Sequence, residues 1–219
     1  LLCFEPCLGA PRWLTSLPNS AFSALGSSSI ALLLGSLAAY GLVRGTFRGR
    51  AVIEGVFIAP LVVPSVIIAV ALYIFFARIG LLGTLPGLII GHTVLGVPYV
   101  VLVMSVAIRS FDHRIEQVAL SLGASNATMF RRVLLPNLLP SVFAAWIFAL
   151  IASFDEVIVT HFIAGRYDTV PKRMFNELVL QVNPTITAIA TLLIALSVIA
   201  IGIIVLLLRR GGIRVQSLT

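Results

Sequence analysis

The sequence predicts an all-α protein, a bundle of helices that cross a membrane, on three observations. Of 219 residues, 59% are hydrophobic and 11% charged, where a soluble domain carries about 45–50% and about 25%; the mean hydropathy is +1.11. The apolar residues gather into five continuous runs, each near the roughly 20 residues that a membrane helix needs. The basic residues stand in short clusters between those runs, where they orient a protein in the bilayer. A net charge of +7 would otherwise suit nucleic acid, but this spacing argues against such a partner. A closed β-barrel needs alternating strands of about ten residues, and these runs do not alternate.

Residues 1–21 are expected to form an extracytoplasmic segment. It has no initiator Met, no basic stretch before an apolar one and no cleavage site, so no signal peptide is visible. Its Cys3 and Cys7 have no companion Cys or His pair, so they are expected to be ordinary thiols, and no metal site is expected. The first span is Phe22–Val43. Ser27, Ala31, Gly35 and Ala39 recur on it every four residues, a small-residue stripe along which backbones approach closely. The second span, Gly55–Ala77, holds Pro60 and Pro64, and the third, Gly87–Ile108, holds Pro98 and a Gly87/Gly91 pair. The prolines are expected to kink their helices. The fourth span is Ser141–Ala164 and the fifth Thr185–Leu208. Together residues 22–208 make the membrane domain, followed by a tail at 209–219.

Arginine and lysine set the orientation. Arg44, Arg48, Arg50, Arg109, Arg114, Arg131, Arg132, Arg209, Arg210 and Arg214 fall on one side, against Arg12, Arg78, Arg166, Lys172 and Arg173 on the other. The first side is therefore cytoplasmic, with the C-terminus on it.

The cytoplasmic connection 109–140 is too long and too patterned for a plain turn. Ile115, Val118, Ala119 and Leu122 are spaced as one face of a short helix, with Glu116, Gln117 and Ser121 off that face. Gly123 suits a left-handed C-cap. Ser125 is placed to cap a second helix carrying Met129, Phe130, Val133 and Leu134, which Pro136 closes. Two short helices bent at a glycine are expected, either docked on a protein partner or lying on lipid.

These residues resemble the signature loop of ABC importer permeases: Glu-Ala-Ala, three residues, Gly, nine residues, Ile-x-Leu-Pro. Leu122-Gly123-Ala124, Phe130 and Leu135-Pro136 match at the required spacing. Gln117 and Val118 stand at the leading Glu and first Ala, Ala119 matches the second, and Glu116 lies one place earlier. The resemblance covers about Asn19 to Arg209. It implies a type I importer-like permease fold and a coupling helix, with Glu116, Gln117, Val118, Ala119, Gly123, Ala124, Phe130, Leu135 and Pro136 as the ATPase-coupling residues. The implied partners are cytoplasmic ABC ATPase subunits, a second permease subunit and an extracytoplasmic solute-binding protein, with 165–184 as the outer surface for that protein. ATP would be bound by the ATPase, and this chain would hold no cofactor and no catalytic residue. Ser153-Phe154-Asp155-Glu156-Val157 and Asn183-Pro184-Thr185 are similar to spermidine/putrescine-type permeases. Such permeases usually have six helices, so the resemblance also implies a missing first helix, with Leu1-Leu2 as its remnant, in a fragment or truncated copy.

Asp155 and Glu156 fall near the middle of the fourth span, where an Asp costs about 2.5–3.5 kcal/mol to insert. Adjacent helical residues point about 100° apart, so the two acids are expected on different faces. Small residues surround the direction of Glu156 and bulky ones that of Asp155. Glu156 is therefore expected to face a pathway and Asp155 the partner permease, with the reverse as the alternative. Carboxylates flanked by aromatics suit an ammonium solute, and Tyr73 and Tyr99 are the candidate ring partners; a structural polar contact between subunits is the competing role. A membrane enzyme is disfavoured because His92, His113 and His161 lie on separate elements and no nucleophile, metal or phosphate motif appears. A stand-alone secondary transporter would show inverted repeats.

Overall fold

The computed structural model describes residues 11–180 together with helical positions 191, 194, 195, 198 and 199. The expected fifth span and the cytoplasmic tail lie almost wholly outside the described residues, as do residues 1–10 of the N-terminal segment. Among the described residues there is no strand. The helices are α1 (Pro11–Arg44), α2 (Arg50–Val62), α3 (Ser65–Ile79), α4 (Leu85–Ser110), α5 (His113–Ser121), α6 (Asn126–Met129), a π-helical turn at Phe130–Leu134, α7 (Leu135–Phe154), α8 (Ile158–Ile163) and α9 (Val170–Leu180). The chain divides into one compact unit of residues 15–173 and another of 1–14 with 174–219. The described part of the second unit is helical.

Among the described residues, three continuous helices are long and apolar enough to cross a membrane: Thr15–Arg44, Leu85–Ser110 and Asn126–Phe154. They coincide with the first, third and fourth expected spans, but two boundaries differ. Helix α1 begins by Pro11, well before Phe22, because the serines that depress hydropathy there are buried against neighbours: Ser16, Ser20 and Ser23 are nearly inaccessible. Pro136 does not close a helix. The Leu135 N–H reaches the Phe130 carbonyl five residues back, and this π-turn shifts the register just before the proline, so the chain runs helical from Asn126 to Phe154.

Helix α4 is the central post. Close approach to α1 comes from the small-residue stripe. Ala31 and Ala39 are fully buried, and a Cβ added at Gly35 would lie 2.7 Å from the Val100 Cβ. Val100, Met104 and Ile108 of α4 form one core cluster with Ala31, Ala39, Met129, Leu134, Leu138, Ala145 and Ala149. Leu88, near the start of α4, joins a second cluster with Ala69, Phe76, Val159, Ile163 and Ala164. There Gly91 leaves room for the Ile163 side chain. Helix α4 continues without a break through Pro98.

The second span is broken rather than kinked. Helices α2 and α3 meet at 104°, so the pair is either one broken span or a re-entrant loop. Val63 is extended, with φ −74° and ψ 130°, as expected of a residue before proline. Pro64, which has no N–H to give, begins the next helix as its N-cap. The fourth span also breaks: α7 ends at Phe154, Asp155–Val157 are non-helical, and α8 restarts at Ile158. The expectation of one continuous helix with its acids at mid-span is therefore corrected.

Candidate functional site

The two breaks face one cavity of about 470 Å³. Pro60, Val63 and Ser65 border it from the bend, Leu95 and Tyr99 from α4, Phe148, Ile151 and Ala152 from α7, and Asp155 and Glu156 from the second break. Both acids line it. The 100° separation that assigns them to different faces holds only inside a helix, and the helix ends one residue earlier. Tyr99 joins them; Tyr73, on α3, is not among the lining residues.

The carboxylates are held differently. Glu156 Oε1 accepts the Val159 N–H at 2.9 Å, satisfying an unpaired donor at the start of α8 as an N-cap does. The Glu156 carbonyl accepts the Thr160 hydroxyl at 2.8 Å. Asp155 is exposed, and among the described residues no hydrogen bond or ion pair reaches its carboxylate. Glu156 is thus engaged in shaping the break, and Asp155 presents its carboxylate to the cavity without such a partner among the described residues.

Sequence reasoning missed His92. Its ring is 1% exposed. Nδ1 lies 2.8 Å from Ser153 Oγ, in the last turn of α7, and Nε2 lies 2.8 Å from Thr160 Oγ1, in α8. Ser27 of α1 donates to Ser153 at 2.8 Å. An ionisable residue within an apolar span was the available signal; a search for metal or catalytic partners passes over it.

On the opposite side of the cores, the connection after α4 is built as a rigid element. Asp112 caps α5 by accepting the Arg114 N–H at 2.9 Å. Gly123, at φ +86°, closes it. The Ala124 N–H donates to the Ala119 carbonyl at 3.1 Å and the Gly123 N–H to that of Leu120 at 3.0 Å, the paired bonds of a Schellman motif. Ser125 Oγ accepts the Thr128 N–H and starts the next helix.

The face presented outward is the apolar one. Val118 is 57% exposed and Leu122 84%, with Ile115 beside them, and Gln117 is exposed too. Ala119 is half-buried and packs on the core. Glu116 is turned inward and is 1% exposed. It pairs with Arg44 at the end of α1, whose Nε donates at 3.0 Å, while Arg44 Nη2 donates to the Phe111 carbonyl at 3.1 Å. His113 Nδ1 lies 3.4 Å from the other Glu116 oxygen. Phe130 stands edge-on to Tyr40 with ring centres 6.0 Å apart. Leu135 and Ala124 are half-buried, and Pro136 is exposed.

Residues 31–212 match the family described as the binding-protein-dependent transport system inner membrane component. The chain is 31% identical over 184 residues to the spermidine/putrescine transport system permease protein PotC of Escherichia coli K12, covering 84% of this chain and 70% of that protein. It is 31% identical to PotC of Haemophilus influenzae over 89% of this chain and 76% of the relative. It is 32% identical to the putrescine transport system permease protein PotI of E. coli K12 over 81% and 65%. Its fold is similar to a bacterial ABC transporter that imports the polysaccharide alginate, with TM-score 0.71 at 16% identity over 96% of this chain and 79% of that one. It is also similar to the MetNI methionine ABC transporter in an inward-facing form, with TM-score 0.69 at 18% identity over 94% and 100%.

Proposed function

The chain belongs to the binding-protein-dependent transport system inner membrane component family, a multi-pass permease subunit of an ABC importer, and from that premise we propose that its solute is a polyamine, met in the cavity by Asp155. The observation that carries this is the uncommitted Asp155 carboxylate in a cavity that also holds the rings of Tyr99 and Phe148. An ammonium group is attracted both to a carboxylate and to an aromatic face. The relatives named for spermidine and putrescine support the same solute class. The long methylene stem of such a solute suits the apolar remainder of the wall, Leu61, Leu95 and Ile151.

The importer reading brings partners with it. Cytoplasmic ATPases bind ATP and seat against the outward apolar face of α5. A second permease completes the pathway, and an extracytoplasmic protein delivers solute. The chain itself holds no cofactor, and its C-terminus is cytoplasmic, on the side rich in arginine. The test is ATP-driven uptake of labelled spermidine, putrescine and an uncharged control solute by vesicles containing the whole complex. Saturable uptake of the amines and not of the control is expected; uptake of the control alone would remove the polyamine assignment.

A further inference from the structure

We propose that His92 is the positioning residue of the acidic cavity: its imidazole staples α7 to α8 across the break and so sets where the Asp155 and Glu156 carboxylates stand. The break interrupts the helical hydrogen-bond pattern at Asp155, Glu156 and Val157. No backbone ladder then fixes the angle between the two helices, and something else must. The His92 ring supplies the link, with one nitrogen 2.8 Å from Ser153, two residues before Asp155, and the other 2.8 Å from Thr160, four residues after Glu156.

The proton arrangement is self-consistent. Thr160 gives its hydroxyl proton to the Glu156 carbonyl and is left to accept, so His92 carries its proton on Nε2 and donates it to Thr160. Nδ1 then accepts from Ser153, and Ser153 accepts from Ser27. Each hydroxyl and ring nitrogen is used in one direction along a chain from α1 through α7 and α4 to α8. The chain ends on the backbone of Glu156, whose side chain caps α8. His92 is held rigidly itself: it sits one residue from Gly91, where Ile163 of α8 packs against the glycine, and it is 1% exposed. Buried polar groups so fully paired are rigid and directional.

The part of this inference that concerns uptake rests on the polyamine reading, so the experiment has two readouts. Spin labels are placed on Phe143→Cys in α7 and Phe162→Cys in α8, both exposed, in the full chain with Cys3 and Cys7 replaced by Ser and reconstituted with its complex in bilayers. A single narrow distance distribution is expected with His92. His92→Phe, which keeps the ring and loses both bonds, should broaden it, and His92→Gln, which retains a donor and an acceptor, should restore most of the narrowness. In uptake, His92→Phe should raise the spermidine KM about tenfold while the maximal rate stays within about twofold, with His92→Gln in between. If His92→Phe does not insert, Thr160→Val removes one arm of the staple and should broaden the distance in the same way. An unchanged distribution in the inserted variant overturns the proposal. So does a loss of maximal rate with unchanged KM in a polyamine-transporting wild type. A wild type that takes up no polyamine counts against the solute assignment alone, and the distance measurement still decides on the staple.

Discussion

Asp155 and Glu156 are neighbours in sequence that are held differently, and single substitutions separate the roles proposed for them. Asp155→Asn removes the charge and keeps the shape. It is expected to raise the KM for spermidine about tenfold, a loss of about 1.4 kcal/mol, without altering the amount of subunit in the membrane. Glu156→Gln keeps an oxygen that accepts the Val159 N–H, so it should change uptake less than Asp155→Asn does. Glu156→Ala loses the cap, about 1 kcal/mol, and should lower the thermal stability of the purified complex. Kinetics and thermal unfolding of the three variants check this order; a larger KM effect for Glu156→Gln than for Asp155→Asn would return the pathway role to Glu156. That division was not legible in sequence. The intramembrane acids stand out there, but which one is committed to a backbone N–H depends on where the helix ends, and Phe154-Asp155 carries no proline or glycine to mark the place.

At the scale of the element, α5 is fastened at one side and open at the other. The Arg44–Glu116 pair is largely buried, with side-chain exposures of 17% and 2%. Removing one partner of such a pair leaves a buried charge and costs about 3–5 kcal/mol. Arg44→Ala should therefore loosen α5 from α1 and speed tryptic cleavage after the exposed Arg114, read on gels of membrane vesicles. Cleavage at the wild-type rate would show that the fastening lies elsewhere. Gly123 is a separate matter. An added Cβ would meet nothing within 4 Å, so the penalty of Gly123→Val is the strain of φ +86° alone, about 1–3 kcal/mol. That strain should reorient α5 without expelling the subunit: uptake falls while basal ATP hydrolysis by the complex persists. Normal coupled uptake in Gly123→Val would end the coupling role of the bend. The spacing of Ile115, Val118 and Leu122 was enough to find the helix and its apolar stripe. It left open which way the stripe faces. An amphipathic helix on a soluble core turns its apolar side inward, whereas here a buried ion pair holds the polar Glu116 inward and leaves the stripe outside.

For the whole molecule, that outward stripe is the surface proposed to meet an ATPase. Leu122 at 84% and Val118 at 57% exposure are better crosslinking positions than the half-buried Ala119. Val118→Cys should capture an ATPase subunit in native membranes, and Arg210→Cys should react with a membrane-impermeant thiol reagent only when the cytoplasmic side is open to it. Failure to capture any ATPase, with expression verified, would remove the assigned docking face. Labelling of position 210 from outside would invert the topology. The spans themselves rest on simpler physics. The three continuous helices pack through Ala31, Gly35 and Ala39 on α1, Val100 on α4 and Ala145 and Ala149 on α7, where dispersion between close backbones replaces a hydrophobic drive that lipid does not supply.

Composition, run length and the Gly123–Pro136 spacing were sufficient for an all-α membrane bundle, its family and a glycine-bent pair of short helices after α4, because each is a local or statistical property that survives without knowing any neighbour. The 104° bend at Val63-Pro64 was legible as a distortion in the second span, though not in its size. The end of α7, the meeting of the two breaks around one cavity, the inward turn of Glu116 and the bridge made by His92 belong to the tertiary structure. Each is decided by groups far apart in sequence, Arg44 with Glu116 and His92 with Ser153 and Thr160, whose hydrogen bonds exist only once the helices have packed.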